Sequence, residues 1–487
     1  MKRIRKWIDP LHSFNFTWQW LEQNRALLIR AIVLSVLAIS ILYMVPRMAV
    51  GMHRIPLLFI AAIIGVAGLA VLIANPSLAI VGIIPAALVI PFGIGTGTGT
   101  ELHAGILIVL AATGLWFLDM LVVKRDFHLL ASRPVVPLLL LVVSTLISFG
   151  FGQMPWFYRQ HASISAQLGG TMLYILAACA FLVTAHRLSE RGLVWAVGIF
   201  IALAGLFMVT RSFSDRFPGL TWPILNRYAD GSTGSLFWVW AFCLAISQFV
   251  FNKRLKLRWK AALGVVLLAF FFTAFYQARD WTSGWLPALF GAAFMFFISF
   301  RKARVPLVLA VFLILALNFS QIQNMLMGGG NEYSMVTRLE AWQILFKIIA
   351  INPILGVGPA NYYFYTPLFP IRGYSVQFNS HNNYVDLLAQ TGVIGCGLFV
   401  WFMVEVTLLG MRLLSRAPEG FPRAFVYGAI GGVIGTAVAG MFGDWIIPFV
   451  YNVGFAGFRA SLIGWLFMGA LVAMERFYPA NTASPTA

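Results

Sequence analysis

Long apolar runs recur along almost the whole chain. Each is roughly 17 to 25 residues long, the length that a helix needs to cross about 30 Å of hydrocarbon. With 60% hydrophobic and only 10% charged residues over 487 positions, the chain is too apolar for a soluble domain, in which about 25% of residues are charged. We predict an all-α, polytopic transmembrane helix bundle of about 12–14 spans. Fourteen candidate spans lie near residues 31–50, 55–74, 78–97, 103–122, 134–152, 166–185, 192–210, 235–251, 260–277, 284–300, 304–319, 384–410, 424–442 and 456–474.

The distribution of basic residues predicts the orientation of these spans. The formal net charge is +18. If the N-terminus is cytoplasmic, 23 of the 34 Lys and Arg lie on the cytoplasmic side and 11 on the other. The positive-inside rule explains this bias, so the basicity requires no nucleic-acid partner. We therefore expect both termini in the cytoplasm.

This orientation divides the chain into five parts. We expect the first to be a cytoplasmic or interfacial segment with an amphipathic helix, because its tryptophans and polar residues do not fit a cleaved signal peptide. Spans, a large external loop, further spans and a cytoplasmic tail follow. The five parts are residues 1–30, 31–319 with about 11 spans, 320–383, 384–476 and 477–487.

Few polar groups lie at the depth of the hydrocarbon. A transporter normally buries charged residues near the bilayer midplane, whereas Asp119 and Glu405 lie close to predicted cytoplasmic span ends. The glycine-rich run 428–443 could be a broken transporter helix, but close helix packing through small residues explains it at least as well. Three cysteines fall in separate spans, a pattern that indicates neither a disulfide framework nor a metal site.

The predicted external segments strongly favour arginine over lysine. Arginine's planar fork binds phosphate oxygens through two parallel hydrogen bonds, which lysine cannot do. A phosphate-bearing lipid is therefore a candidate ligand, although contact with a membrane headgroup is the simpler explanation for any one arginine. With the single lysine Lys347, the external basic residues are Arg47, Arg54, Arg159, Arg211, Arg216, Arg227, Arg279, Arg338, Arg372 and Arg459.

The external segment contains an amphipathic helix. In SMVTRLEAWQILFKIIAINP, residues 334–353, Arg338, Trp342, Leu345 and Ile349 share one face at helical spacing. The Asn-Pro pair at the end stops the helix, because proline disfavours helical geometry in the residue before it. We predict that the helix lies along the membrane surface, with its apolar face on the bilayer or on the spans.

Two further features follow in this segment. A tyrosine cluster begins at Tyr362, and it fits either a membrane-interface belt or a sugar-stacking surface. His381 and Asn382 then stand directly before the next span, where the asparagine could simply cap the helix.

Residues 334–395 resemble the signature region of the O-antigen ligase and polysaccharide polymerase superfamily. That family's motif is His, then Asn, Ser or Gln, nine residues, Gly, two residues and Gly. The chain has His381, Asn382, Gly392 and Gly395 at this spacing. The family's upstream Arg-x-x-x-Trp is also present, and the similarity extends over roughly a quarter of the chain.

The resemblance implies an integral membrane glycosyltransferase with a GT-C-like fold. The donor would be an undecaprenyl-diphosphate-linked glycan, the acceptor a glycan or lipid hydroxyl, and the site would face the outside of the inner membrane, in contact with membrane lipids. It implies inverting transfer with no metal and no cofactor. His381 would activate or orient the acceptor, while Arg338 and Arg279 would bind the diphosphate and stabilise its growing charge.

Other residues would contact the substrate in this scheme, and some assignments have alternatives. The residues around Arg279 differ from the family pattern, so another external arginine could take its place. Four carboxylates could pair with the arginines or serve as a different base. The substrate-contact candidates are Asn382, Trp342, Arg211, Arg216 and Tyr362, with Arg227 as a further alternative to Arg279; the carboxylates are Asp280, Glu340, Asp386 and Asp444.

Three functions fit this sequence. A ligase moves a finished glycan to an acceptor, and a polymerase of the same superfamily joins repeat units. A carrier or flippase for a lipid-linked glycan or small anion belongs to another class, but it would need polar groups accessible from both sides. The polar groups here cluster on one predicted face, which favours an enzyme.

Overall fold

The computed structural model describes residues 74–95, 101–232, 234–317 and 330–480. The chain divides into two compact units, residues 1–79 and 80–487. Only the last six residues of the first unit are described, so the architecture below is that of the second. The predicted interfacial helix in residues 1–30, the span 31–50 and nearly all of the span 55–74 lie outside the described residues.

The described residues form α-helices and one small antiparallel sheet. In the sheet, β1 (Gly93–Gly95) pairs with β2 (Glu101–His103). π-Helical turns continue α2 and α9 over Asp119–Lys124 and Thr273–Gln277. The helices are α1 (Pro76–Leu88), α2 (Ala104–Leu118), α3 (Val135–Phe151), α4 (Ile164–Arg187), α5 (Glu190–Ser212), α6 (Pro218–Leu225), α7 (Ala229–Ser232), α8 (Ser235–Phe251), α9 (Leu257–Phe272), α10 (Thr282–Ser299), α11 (Arg304–Leu317), α12 (Gly330–Ile349), α13 (Tyr362–Tyr365), α14 (Asn383–Leu413), α15 (Phe421–Phe442) and α16 (Gly454–Phe477).

Local sequence signals explain where several helices begin. The Ser163 hydroxyl accepts a hydrogen bond from the Ala166 N–H at 3.3 Å at the start of α4. Ser189 does the same for the Gly192 N–H at 3.0 Å at the start of α5. Such caps satisfy amide groups that have no partner inside the helix.

Eight helices of the described ranges are long and apolar enough to cross a membrane. This confirms the prediction of an all-α, polytopic membrane protein. The predicted span 78–97 is wrong in its second half, because α1 ends at Leu88 and β1 follows. With 13 residues, α1 is about 20 Å long, too short to cross the hydrocarbon by itself.

The glycine-rich run of α15 packs closely against two neighbouring helices. α15 is continuous and lies along α8 and α10. A Cβ on Gly432 would come within 2.6 Å of the Trp240 ring, and one on Gly431 within 3.0 Å of the Gly291 carbonyl oxygen. The run is therefore a close-packing surface and not a helix break.

The long helices define two ends of the bundle. In the antiparallel pair α8 and α15, Gly435 faces Val239 near one end and Gly428 faces Ser247 near the other. The starts of α8 and α14 and the ends of α9 and α15 form what we term the His381 end. The ends of α8 and α14 and the starts of α9 and α15 form the Lys256 end. This distinction organises the remaining description.

Candidate active site

The two glycines of the signature motif have structural roles in α14. Gly392 interrupts the helix with φ 66° and ψ −169°, a conformation that residues with a Cβ rarely adopt. A Cβ at Gly392 would overlap the carbonyl of Ile354, and one at Gly395 would overlap the Thr391 side chain. Glycine is therefore required at both positions by close contacts.

The segment that follows α12 fills the break in α14. The Val357 N–H donates to the Ala389 carbonyl at 2.9 Å, and the Val393 N–H donates to the Pro353 carbonyl at 2.8 Å. These bonds satisfy backbone groups that the break would otherwise leave unpaired inside an apolar helix bundle. The segment 353–358 is thereby fixed against the helix that begins just after His381.

Asn361 ties this segment to the neighbouring helices. It is fully buried, and its Nδ2 donates to the carbonyls of Gly152 and Val357, both at 2.9 Å. Its Oδ1 accepts from the Ala162 N–H at 3.0 Å. The loop before His381 is therefore held in place by buried polar contacts.

His381 itself has an unusual backbone conformation. Its φ is +48°, in the left-handed region that non-glycine residues occupy only when the surroundings enforce it. The next residue, Asn382, is the N-cap of α14, and its Oδ1 accepts from the N–H groups of Tyr384 and Val385. Its Nδ2 donates to the Met441 carbonyl at 3.2 Å. Both polar ends of Asn382 thus bind protein; its predicted substrate contact stays a prediction.

The residue before His381 is fixed even more firmly. Ser380 is fully buried. Its carbonyl accepts from the Trp342 indole at 2.8 Å, and its hydroxyl lies 2.7 Å from Oδ1 of Asp386. That same carboxylate oxygen accepts from the Tyr362 hydroxyl at 2.5 Å. Ser380, Trp342, Tyr362 and Asp386, which we call the Ser380 network, support His381 from one side.

Tyr362 belongs to the interior and not to a surface. The side chain is fully buried and stacks on Phe449 with ring centroids 4.7 Å apart. Burial, together with the Asp386 carboxylate, raises the pKa of the Tyr362 phenol well above its usual range, so the phenol remains a hydrogen-bond donor. Burial leaves neither ring face exposed to a sugar or to a membrane interface.

A second buried carboxylate lies near His381. Asp444 follows α15, is 1% exposed and accepts hydrogen bonds from the Phe449 N–H and from Nδ2 of Asn452, each at 2.8 Å. Burial raises the pKa of the Asp444 carboxyl, whereas these bonds and the charge of His381 act in the opposite direction. Asp444 is thus close enough to His381 for the two charges to interact.

An open pocket of about 450 Å³ lies at the end of α5, the start of α8 and the π-helical turn that ends α9. Arg211, Gln277, Asp280 and Trp281 are among its lining residues. Nε of Arg211 and Oε1 of Gln277 are buried without a hydrogen-bond partner among the described residues. A buried polar atom that lacks a partner favours a ligand that supplies one. We call this cavity the Arg211 pocket.

The Arg211 pocket adjoins the His381 region through two tryptophans. The rings of Trp281 and Trp445 meet edge to face, with centroids 6.4 Å apart. Trp445 directly follows Asp444 in the chain, and its indole Nε1 is also buried without a partner in the described part of the structure. Trp445 therefore connects the wall of the Arg211 pocket to Asp444, whose charge interacts with that of His381.

The predicted arginines differ from one another in their surroundings. Arg211 lines the pocket, whereas the side chains of Arg279, Arg216 and Arg227 are exposed and none of them is a lining residue. Arg338 lies on α12, one turn before Trp342, but its side chain lies outside the described residues. Of the alternatives to Arg279, the geometry favours Arg211.

The four candidate carboxylates fall into two classes. Asp386 and Asp444 are buried and hydrogen-bonded. Asp280 is exposed at the Arg211 pocket. Oε2 of Glu340 lies 3.2 Å from Nε of Arg372 in a partly exposed ion pair. The charge of Asp444 interacts with that of His381, and Asp386 binds the hydroxyl of the preceding residue, Ser380.

The predicted helix of the external segment is confirmed as α12, which begins before the predicted start. Leu345 and Ile349, on the predicted apolar face, are buried together with Ile344 and Ile348, which decides between bilayer and protein in favour of protein. This face packs on α14 and on the aromatic residues around Tyr362.

A comparison with protein families gives one match. Residues 281–400 match the family model described as O-antigen ligase. The match covers about a quarter of the chain. This confirms the resemblance found in the signature motif. A comparison with curated proteins gives no match.

The O-antigen ligase domain indicates a membrane enzyme of ligase or polymerase type that uses lipid-linked glycans and acceptors. It includes α12, the Ser380 network and the break at Gly392. Arg211, Gln277 and Asp444 lie outside residues 281–400, so the Arg211 pocket and Asp444 belong to helices beyond the matched range. No local sequence signal predicts the hydrogen bonds of Ser380, Gln277 or Asn361, because their partners lie elsewhere in the chain.

Proposed function

We propose that this protein transfers a glycan from an undecaprenyl-diphosphate carrier to an acceptor hydroxyl at the His381 end of the bundle, as a ligase does. The observation that carries the proposal is the enforced left-handed backbone at His381, inside the matched domain. Such strain persists only where the surrounding structure over-determines it, and it concentrates at functional sites.

His381 acts as the general base in this proposal. Its imidazole takes the proton of the acceptor hydroxyl while that oxygen attacks the anomeric carbon of the donor sugar. The bond from that carbon to the phosphate oxygen breaks, its electron pair leaves with the lipid diphosphate, and the anomeric configuration inverts. Asp444 stabilises the protonated imidazole, since a negative charge nearby favours the charged form.

Arginines stabilise the leaving diphosphate. Nε of Arg211 has no hydrogen-bond partner among the described residues and lies at the pocket next to Trp281. Arg338 lies on α12 one turn before Trp342, the residue that binds the Ser380 carbonyl. Guanidinium groups bind phosphate oxygens in pairs, and preorganised cations at a developing charge lower the barrier without a metal ion. Arg279 is less well placed than Arg211 in this scheme.

Glycan transfer by the purified full-length chain in detergent tests the proposal. A panel of undecaprenyl-diphosphate glycans and candidate acceptors is supplied with EDTA present. We expect transfer by wild type and by the control variants His128→Ala and Arg301→Ala. We expect losses of about 10²- to 10⁴-fold for His381→Ala and about 10²- to 10³-fold for Arg338→Ala and Arg211→Ala.

The product distinguishes the two enzyme types, because a ligase gives one capped acceptor and a polymerase gives a ladder of repeats. Full activity of His381→Ala at matched protein level would contradict the proposed base. Transport of a lipid-linked glycan into sealed vesicles by the same variant, without transfer, would instead support a carrier.

A further inference from the structure

A basic pocket lies at the Lys256 end, the opposite end of the bundle from His381. Its volume is about 410 Å³, and it lies between the turn that joins α8 to α9 and the start of α15. Three cationic side chains line it, Arg254, Lys256 and Arg258, together with the single carboxylate of Glu419. The proposed transfer reaction makes no use of this cavity.

The described residues leave the positive charge of this pocket unbalanced. Glu419 interacts with Lys253 at 3.9 Å and with Arg423 at 3.3 Å, and neither of these cations is a lining residue. Within the described ranges, no carboxylate oxygen lies within 4.0 Å of the charged nitrogens of Arg254, Lys256 or Arg258. The pocket therefore favours an anionic ligand.

A buried amide places a second requirement on the ligand of this pocket. Asn252 lines the pocket and is 4% exposed. Its Nδ2 donates to Oε1 of Gln248 at 2.8 Å, but its Oδ1 is buried without a partner among the described residues. A buried acceptor of this kind is costly unless a donor reaches it. A ligand that carries both a negative charge and a hydroxyl would satisfy the pocket.

The surroundings place this ligand at a membrane surface. Trp259 lines the pocket and is 55% exposed, and Leu257 beside it is 82% exposed. Tryptophan is typical of the interface between hydrocarbon and headgroups. The guanidinium carbon of Arg258 lies 5.5 Å from the centroid of the Trp259 ring, within the range of a cation–π contact. Exposed apolar side chains next to cations fit a lipid better than a soluble anion.

We propose that this pocket binds the headgroup of an anionic glycerophospholipid of the phosphatidylglycerol type. The phosphate is bound by Arg254, Lys256 and Arg258, a headgroup hydroxyl donates to Oδ1 of Asn252, and the acyl chains lie along Leu257 and Trp259. Basic pockets between helix ends are a recurrent form of lipid recognition. The bound lipid would tie the α8–α9 turn to the start of α15.

Native mass spectrometry of the purified full-length chain tests this assignment. Phosphatidylglycerol, phosphatidylcholine and phosphatidylethanol are added in turn, the last having the same charge as phosphatidylglycerol but no headgroup hydroxyl. We expect phosphatidylglycerol to bind most tightly and phosphatidylcholine least. Equal binding of phosphatidylglycerol and phosphatidylethanol would overturn the contact with Asn252.

Charge-removal variants test the location of the site. The double variant Arg254→Gln/Arg258→Gln should bind phosphatidylglycerol about tenfold to 30-fold more weakly, since each cation near a lipid surface contributes roughly fivefold. The control double variant Arg301→Gln/Lys302→Gln removes the same charge from the same end outside the pocket, and its binding should stay within about twofold of wild type.

Two results would overturn the proposal. Equal weakening by both double variants would mean that lipid responds to general charge and not to this pocket. A rise in thermal stability with inorganic phosphate or glycerol 3-phosphate that matches the rise with phosphatidylglycerol would identify a site for a soluble phosphate. Neither experiment depends on glycan transfer, so each outcome is independent of the proposed activity.

Discussion

The two ends of the bundle differ in the burial of their polar and charged side chains. At the His381 end, Ser380, Asp386 and Asp444 are each at most 1% exposed, and hydrogen bonds hold all three. At the Lys256 end, charged side chains form partly exposed ion pairs, such as Arg423 with Glu419. Buried polar groups cost free energy unless they are bonded, whereas exposed pairs contribute little.

Polar side chains thus have two roles in this membrane protein. Bonded, buried groups fix one backbone geometry, and at the His381 end they hold the residues on either side of the left-handed His381. Exposed basic groups do not constrain the backbone. They provide charge at the membrane surface, which fits a role in orienting the spans and in contacting lipid. Substitutions at the two ends should therefore have very different costs, and the following experiments measure that difference.

The largest effect is expected from Gly392→Ala. The new Cβ would require a left-handed alanine and would overlap the Ile354 carbonyl, so we expect a loss of about 3 kcal/mol or more of stability. The thermal unfolding midpoint in detergent, or the yield of folded protein, measures this. Gly397→Ala in the same helix meets nothing within 4 Å and should be neutral or stabilising by about 0.5–1 kcal/mol. Equal midpoints for the two variants would refute the structural role of Gly392.

A smaller effect is expected from Asp386→Ala. It removes the acceptor of the buried Tyr362 hydroxyl, which costs about 1–3 kcal/mol when left unpaired, whereas the Ser380 hydroxyl keeps the Asn382 carbonyl at 2.8 Å as an acceptor. Asp386→Asn keeps an oxygen for both donors and should restore most of the midpoint. Asp119→Ala at the Lys256 end removes a partly exposed carboxylate paired with Lys124 and Arg187 and should cost about 1 kcal/mol or less. If Asp119→Ala lowered stability as much as Asp386→Ala does, the proposed difference between the two ends of the bundle would be contradicted.

The smallest effect concerns pH and a buried histidine at the His381 end. Burial, with a contribution from Arg459, lowers the pKa of His103 to about 3, and both ring nitrogens lack a partner within the described residues. A histidine whose pKa is lower in the folded state binds more protons when unfolded, so stability is present at neutral pH and is lost as pH falls below about 6.5.

Between pH 7.5 and 5.5 this loss should be about 1 kcal/mol, measured as a shift of the thermal midpoint. His103→Leu removes the titrating group and should reduce the shift, whereas the control His128→Leu, at an exposed position, should leave it unchanged. An identical acid shift in wild type and His103→Leu would show that another group is responsible.

The sequence predicted the helices well because their signals are local. Length and apolarity alone placed α8 at residues 235–251, where it is observed, and helical spacing identified the buried positions Leu345 and Ile349. The signature motif also lies inside the range that matches the family model. The failure at residues 78–97 has a physical reason: apolar composition does not distinguish a span from a short helix followed by a strand.

The contacts that organise the site were not predictable in the same way. Gly392 was recognised as part of a motif, but its reason, a break in α14 filled by residues 353–358, depends on a segment distant in sequence. Tyr362 fitted a surface cluster by composition, yet its hydroxyl binds the buried Asp386. The preference for Arg211 over Arg279 follows only from the pocket.

The rate of glycan transfer by His381→Ala, with and without added imidazole, tests the central claim most directly. Folded protein is matched by thermal midpoint, and Arg301→Gln/Lys302→Gln at the Lys256 end serves as the control. We predict that His381→Ala loses about 10²- to 10⁴-fold in rate, that imidazole restores part of it, and that the control stays near wild type. A His381→Ala variant that transfers glycan at the wild-type rate would contradict the account.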